Sequence, residues 1–248
     1  MDRPERSAAQ PLLVVYGFHS VREALRHRPQ QIARILVSAS RTGARKQEIM
    51  ELCQGHRIEL QVVEEPVLRA RAGNAHNGFA AELNDLQPVS GGTSERDPNL
   101  IVLLEDVQDP RNLGAVLRVC EGVGVGRLLI RDRGSAPITA TVAKTSAGAS
   151  EWLDSERIGN SANELERLKE AGFWVYGTVV EGEPPWAVDL SGPVVLCFGG
   201  EERGLRTRTR SLCDRMIGLP MRGRVGSLNL STAVAAVLYE ALRQRTTR

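Results

Sequence analysis

The chain has 248 residues, 42% hydrophobic and 25% charged, with a net charge of +2: an ordinary globular composition, enough for one large domain or two modest ones. No apolar run approaches the ~20 residues needed to span a bilayer, which excludes a membrane helix. The charged N-terminus MDRPERSAAQP has no apolar core behind it, so it reads as a frayed tail and not as a secretory or transit signal.

Cys53, Cys120, Cys197 and Cys213 lack CxxC spacing and sit mostly in apolar surroundings. They read as buried free thiols of a cytoplasmic protein in preference to disulfides or a zinc site. The four histidines (His19, His27, His56, His76) all fall in the first third, so no His-rich metal site is expected. Only Lys46, Lys144 and Lys169 are lysines, which makes 29 of the 32 basic residues arginine. A GC-rich genome explains that bias as well as phosphate binding does, although planar guanidinium forks suit phosphates and stacked bases. Arg203, Arg206, Arg208 and Arg210 cluster, as do Arg222 and Arg224, a hint of nucleic acid.

In chain order, LLVVYGFHSVREALRH predicts a short strand, a turn at Gly17 and a helix. ARILVSA (33–39) predicts a second strand, RKQEIMELCQGH a helix ending near Gly55, and IELQVVE a third strand. PVLRARAG is a basic helical stretch, and GFAAEL a fourth strand. This α/β unit spans 12–85 and is followed by a linker at 86–98, rich in Pro, Gly, Ser and charge. The second domain, 99–248, opens with NLIVLLEDV, a continuous apolar run of the kind that fills a parallel sheet. Further strands are expected at GRLLI, FWVYGTVV, PVVLCFG and MIGLPM. Helices are expected at 110–121, around 161–171 and 203–213, and at 229–245.

EGVGVG (121–126) carries three glycines at alternate positions but is not a phosphate loop. A Rossmann-type loop needs strand, glycines, then helix; here Asp109 caps and Pro110 starts a helix whose stripe is Leu113, Val116, Leu117 and Cys120, and the glycines follow it. Gly122 or Gly124 is therefore expected to end the helix in a left-handed cap.

Three segments carry candidate chemistry. Arg111, Gly114/Ala115 and Arg118 share a helix face, either a solvated surface or one that a ligand backbone approaches. VVLCFGGEERGLR runs a buried strand into glycines, either a tight turn or a ligand site at a strand's C-terminal end. In MIGLPMRGRVGSLNLSTAVAAVLYEAL, Ser227, Asn229 and Ser231 are all N-cap types, for capping or for a ligand.

DPRNLGAVLR, FGGEERGL and LPMRGRVGSLNLSTAVAAVLYEALRQ resemble, in order and spacing, the three motifs of the SpoU/TrmH family of RNA ribose 2′-O-methyltransferases, in the SPOUT superfamily. VYGFHSVREAL and HNGFAAEL resemble the small ribosomal-protein-like RNA-binding domain of its RlmB-like members. The resemblance implies a parallel-sheet domain with a C-terminal trefoil knot, a feature beyond general topology rules. It also implies S-adenosylmethionine bound through Thr178, Gly199, Ile217, Leu219, Ser227 and Leu228. It implies a homodimer with sites completed across the interface, and methylation of a guanosine ribose in large-subunit ribosomal RNA. Transfer RNA and a non-catalytic RNA-binding relative are the alternatives. Arg118 matches the catalytic arginine, Asn112 and Glu201 the supporting asparagine and carboxylate, and Ser227 and Asn229 the polar pair of the third motif. A guanidinium stays protonated, so Arg118 is expected to orient and stabilise charge, with phosphate, water or Glu201 left as proton acceptors. No metal is required, because a sulfonium is already a good leaving group.

Overall fold

The computed structural model of the chain describes residues 13–74, 76–84 and 96–247, divided between two compact units, Met1–Val89 and Ser90–Arg248. The tail at 1–11 and the linker up to residue 95 lie outside the described residues.

The first unit runs β1 (Leu13–Tyr16), α1 (Phe18–His27), β2 (Ile32–Ser38), α2 (Ala44–His56), β3 (Leu60–Val63), α3 (Glu65–Ala72) and β4 (Phe79–Leu83). Its sheet has the order β1-β4-β2-β3, with β4 antiparallel to both neighbours and β3 parallel to β2. Alternation along β4 divides its side chains between two faces. Ala80 packs under Leu68 and Ala72 of α3, while Phe79 meets Phe18 of α1 edge-on, ring centroids 5.6 Å apart. Glu82 shares the face of Ala80 and is buried, and Arg34 (2.5 Å) and Arg71 (3.4 Å) pair with it. A carboxylate can be held away from water in this way only when opposite charge reaches it.

The second unit is β5 (Asp97–Leu104), α4 (Pro110–Val123), β6 (Val125–Arg131), α5 (Ala140–Thr145), β7 (Ser155–Ile158), α6 (Ser161–Glu170), β8 (Trp174–Glu183), β9 (Val194–Phe198), α7 (Thr207–Leu212), β10 (Arg215–Ile217) and α8 (Leu230–Thr246). Every pairing in the sheet β10-β8-β9-β5-β6-β7 is parallel. The apolar run of β5 is thereby explained. Leu100, Val102 and Leu104 face α4, α5 and α8, whereas Ile101 and Leu103 face the α6 side. Both faces are covered, so neither set of side chains can be polar. Five residues of α8 (Leu230, Val234, Val237, Leu238 and Ala241) enter the larger core cluster. Truncating a buried leucine such as Leu238 to alanine costs about 2–5 kcal/mol in such a core.

The chain builds outward from β5 to β7, returns past β5 to lay down β8, fills the gap between them with β9, and ends at the edge with β10. The direction of winding changes between β5 and β9, and crevices at such switch points lie at the strands' C-terminal ends.

Several expectations are corrected in detail. The helix expected from 203 is Thr207–Leu212, because the residues before it form a turn closed by a Gly200–Gly204 bridge. The strand in MIGLPM ends at Ile217, before Gly218 and not at Pro220. β5 begins at Asp97, inside the stretch read as linker. The sequence reading missed α5 and β7: α5 has six residues, too short for periodicity, and β7 is a polar edge strand, SERI.

Gly124 ends α4 in the left-handed conformation, φ 80 and ψ 36, and donates its N–H to the carbonyls of Cys120 and Glu121. At the other end, Asp109 accepts from the amide of Arg111 at 2.8 Å. The four thiols are free, and Cys53, Cys120 and Cys197 are buried. Burial pushes the Cys53 thiol up to about 11, leaving almost no reactive thiolate at neutral pH. Among the described residues no helix is long and apolar enough to cross a membrane.

Candidate active site

The second half of β8 (Thr178–Glu181) and the segments at and after the ends of β9 and β10 enclose a cavity of about 950 Å³. Thr178, Gly199, Ile217, Leu219, Ser227 and Leu228 all line it, beside Glu201 and Asn229. All six residues matched to cofactor binding are thus brought to one place. A volume of this size is in the range of small-molecule sites.

The loops meet backbone to backbone. A Cβ on Gly182 would lie 2.6 Å from the Ile217 carbonyl carbon, one on Gly218 2.6 Å from the Gly182 nitrogen, and one on Gly199 would overlap the Gly204 carbonyl. Only glycine permits so close an approach. Gly199, Gly200, Gly204, Gly218 and Gly226 leave the main chain bare in the cavity lining, with Ile217, Leu219, Leu228 and Val237 as its apolar part. That mixture fits a ligand with a flat heteroaromatic ring and a polar, charged tail.

A second, smaller pocket of about 380 Å³ shares Gly200, Glu201, Glu202, Arg203 and Leu230 with the first, and adds Asp106, Asp109, Asn112 and Arg206. On the common wall stands a hydrogen-bonded cluster from all three motifs. Asn112 Nδ2 donates to Glu201 Oε1. Asn229 Nδ2 donates to Asn112 Oδ1 at 3.0 Å and to Glu201 Oε1 at 3.3 Å. Asn229 Oδ1 meanwhile accepts from the Ser231 amide (2.9 Å) and hydroxyl (2.7 Å). One asparagine therefore both caps α8 and joins the cluster, so capping and site chemistry are not alternatives here.

Two matched residues stand apart. Ser227 lines the larger cavity and makes no hydrogen bond among the described residues. Arg118 is exposed on α4, lines neither cavity, and has no hydrogen-bond or ion-pair partner among the described residues. Six residues separate it from Asn112, about 9 Å along a helix. The small residue beside it does not await a ligand: a Cβ on Gly114 would lie 2.7 Å from Thr145 Cβ and 2.9 Å from the Val142 carbonyl oxygen. Gly114 is buried against α5, which corrects the ligand-approach reading of that face.

The arginine clusters also divide. Arg206 pairs with Asp106 and Arg208 with Glu166. Arg203, Arg210, Arg222 and Arg224 have no ion-pair partner among the described residues and remain open to an external anion. Sequence reasoning passed over Glu105 and Asp106, which directly follow β5. The available signal was two carboxylates directly after a run of buried apolar residues, where charge needs a structural reason.

A fully parallel sheet with a glycine-rich cavity beside β8, β9 and β10 and an amide–carboxylate cluster on its wall has the form of an α/β enzyme with a small-molecule site. The chain belongs to the SpoU rRNA methylase family, whose model matches residues 99–239. A second model, for RNA 2′-O ribose methyltransferase substrate binding, matches 14–89. The chain is 38% identical over 240 residues to the 23S rRNA (guanosine-2′-O-)-methyltransferase RlmB of Pseudomonas aeruginosa, covering 94% of this chain and 96% of that one. To the protein of the same description from Xylella fastidiosa it is 36% identical over 245 residues, again 94% and 96%. The fold is that of the SpoU methyltransferase AviRb from Streptomyces viridochromogenes, solved in complex with AdoMet: TM-score 0.79, 22% identity, 96% of this chain and 92% of that one. Family membership implies a C-terminal trefoil knot.

Proposed function

We propose that this chain transfers the methyl group of S-adenosylmethionine to the ribose 2′-hydroxyl of a guanosine in large-subunit ribosomal RNA. One observation carries the reading: all six matched cofactor residues line a single cavity that shares a wall with the Asn112–Glu201–Asn229 cluster. Thr178, Gly199, Ile217, Leu219, Ser227 and Leu228 would hold the cofactor, mainly through backbone. When bound, it supplies an electrophilic methyl on a good leaving group.

The remaining work falls to the protein. A ribose hydroxyl is a poor nucleophile and must be held in line with the methyl while its proton leaves. Two amides fix Glu201 through Oε1, and Oε2 has no protein partner among the described residues. That oxygen accepts the hydroxyl's hydrogen bond and orients it. Arg118 stabilises the developing alkoxide or grips the adjacent phosphate. Its absence from the cavity walls of its own chain supports a homodimer in which it serves the second copy's site. Tyr239 of α8 (56% exposed) and Trp186 (59%), on the turn bound by Gln244 of the same helix, are the apolar surface for such contact. Arg203, Arg210, Arg222 and Arg224 are the phosphate contacts, and residues 12–85 bind the RNA beyond the target nucleotide. An enzyme acting on ribosomal RNA in this way works in the cytoplasm.

The test is methylation of large-subunit ribosomal RNA with labelled cofactor, followed by mapping of 2′-O-methyl positions in RNA from cells with and without the gene. A single guanosine that loses its ribose methyl supports the reading. Methyl appearing only in transfer RNA, only on a base, or not at all overturns it.

A further inference from the structure

Glu105 lies where β5 ends. Its backbone N–H donates to the Phe198 carbonyl at 2.9 Å, the last ladder bond between β5 and β9. Its side chain is buried, 1% exposed, and crosses to the far side of the next loop. There Oε2 accepts from the Arg206 amide at 3.0 Å and Oε1 from the hydroxyl of buried Thr209 at 2.8 Å. One residue thereby holds both ends of the loop 199–205, its start at Phe198 and its end at Arg206. α7 has no side-chain cap of its own, and the Arg206 amide precedes its first residue.

That loop has little freedom elsewhere. Gly204 N–H donates to the Gly200 carbonyl at 2.9 Å, and the two residues form a bridge. Asp106, next in the chain, turns through a left-handed φ of 54. Its carboxylate grips the Arg206 side chain at 3.0 Å and Arg131 at 3.2 Å. The Arg206 backbone is fixed by one carboxylate and its guanidinium by the next. Between these fixed ends sits Glu201, whose Oε1 meets Asn112 and Asn229.

We propose that Glu105 is a positioning residue for methyl transfer: by holding residues 198 and 206 together it sets the loop that presents Glu201 to the two asparagines. The inference rests on the reading of Glu201 as part of the methyl-transfer site. Glu105 is too buried to touch substrate, and both its oxygens are already occupied as acceptors.

The chemistry of the contacts determines how variants behave. Glutamine keeps an oxygen for the Arg206 amide, and its amide group donates to Thr209, whose hydroxyl rotates to accept. Alanine removes both contacts, from the Arg206 amide and from the buried Thr209 hydroxyl. In the full-length protein, Glu105→Ala should lower kcat on ribosomal RNA by about thirty-fold or more, the scale of releasing a positioned group. Glu105→Gln should recover at least about a third of wild-type kcat, as its retained hydrogen bonds require.

The decisive measurement is the double variant. If Glu105 acts through Glu201, then adding Glu105→Ala to Glu201→Ala lowers kcat by less than about three-fold, the non-additivity of residues that act as a unit. Full additivity of the two kcat losses overturns the proposal. So does a Glu105→Gln enzyme as impaired as the alanine variant, which would make the carboxylate's proton chemistry essential. Hydrogen exchange of the 199–205 amides, measured on the same proteins, should accelerate in Glu105→Ala and not in Glu105→Gln; equal protection in all three overturns the proposal. An inactive wild-type enzyme would sink the methyl-transfer reading instead, and the exchange data would still decide whether Glu105 holds the loop.

Discussion

Asn229 has two separable duties, and its substitution tests both. As the N-cap of α8 it accepts from the Ser231 amide at 2.9 Å, and losing such a cap costs about 1 kcal/mol. Its Nδ2 bonds to Asn112 and Glu201 are exposed and add at most about another 1 kcal/mol together. For a cooperative unit the size of Ser90–Arg248, 1–2 kcal/mol lowers Tm by about 2–8 °C. Asn229→Ala should show that loss together with a fall in kcat of about ten- to a hundred-fold, or 1.4–2.8 kcal/mol of barrier. Asn229→Asp separates the two effects. The aspartate keeps the acceptor for Ser231 and places an anion at a helix N-terminus, a gain of about 0.3–1 kcal/mol. It also sets a second carboxylate against Glu201, where water-like screening makes the repulsion about 1 kcal/mol. Tm should therefore stay within about 2 °C of wild type, while turnover falls as far as in the alanine variant, because the donor to Glu201 is gone. Calorimetric melting beside single-turnover methylation reads both quantities. A fully active Asn229→Asp enzyme, or an alanine variant with unchanged Tm and activity, would refute the assignment.

Three further outcomes follow from the same geometry. Arg118→Ala and Asn229→Ala should each retain at most about a tenth of wild-type activity as pure proteins, yet mixed and allowed to exchange subunits they should regain up to about a quarter, because one of the two sites in a mixed dimer is then intact; no recovery would mean that Arg118 serves its own chain. Gly114→Ala should lower Tm by several degrees, since overpacking costs about 1–3 kcal/mol against about 1 kcal/mol of gained helix propensity; a higher Tm would show that α4 and α5 yield easily. A protein lacking residues 1–90 should remain folded and bind S-adenosylmethionine, measured by calorimetry, while its RNA affinity collapses; undiminished methylation of structured RNA would remove the substrate-binding role of the first unit.

The sequence by itself determined the local features whose causes are local. Asp109, Pro110 and Gly124 bound α4 because capping and left-handed backbone depend on a few adjacent residues. The apolar run LIVLL announced a strand covered on both faces before any sheet was known, since only a parallel sheet between helices requires that pattern. Motif order identified the family, and with it six residues that line one cavity. Tertiary structure alone decided what those residues touch. The face of Gly114 read as a solvated surface or an opening for a ligand until α5, itself too short to predict, proved to fill that space. Asn229 could have been only a cap; its contacts to Asn112, 117 positions away, depend on α4 and α8 packing side by side. Glu105 stands out in the sequence only as a carboxylate after an apolar run; its part was hidden, because its partners at 206 and 209 lie about a hundred positions along the chain. No periodicity records a bond of that span. It exists only because β9 is inserted beside β5 after the chain has wound to β7 and back, and that crossing brings both ends of the Glu201 loop within reach of one buried carboxylate.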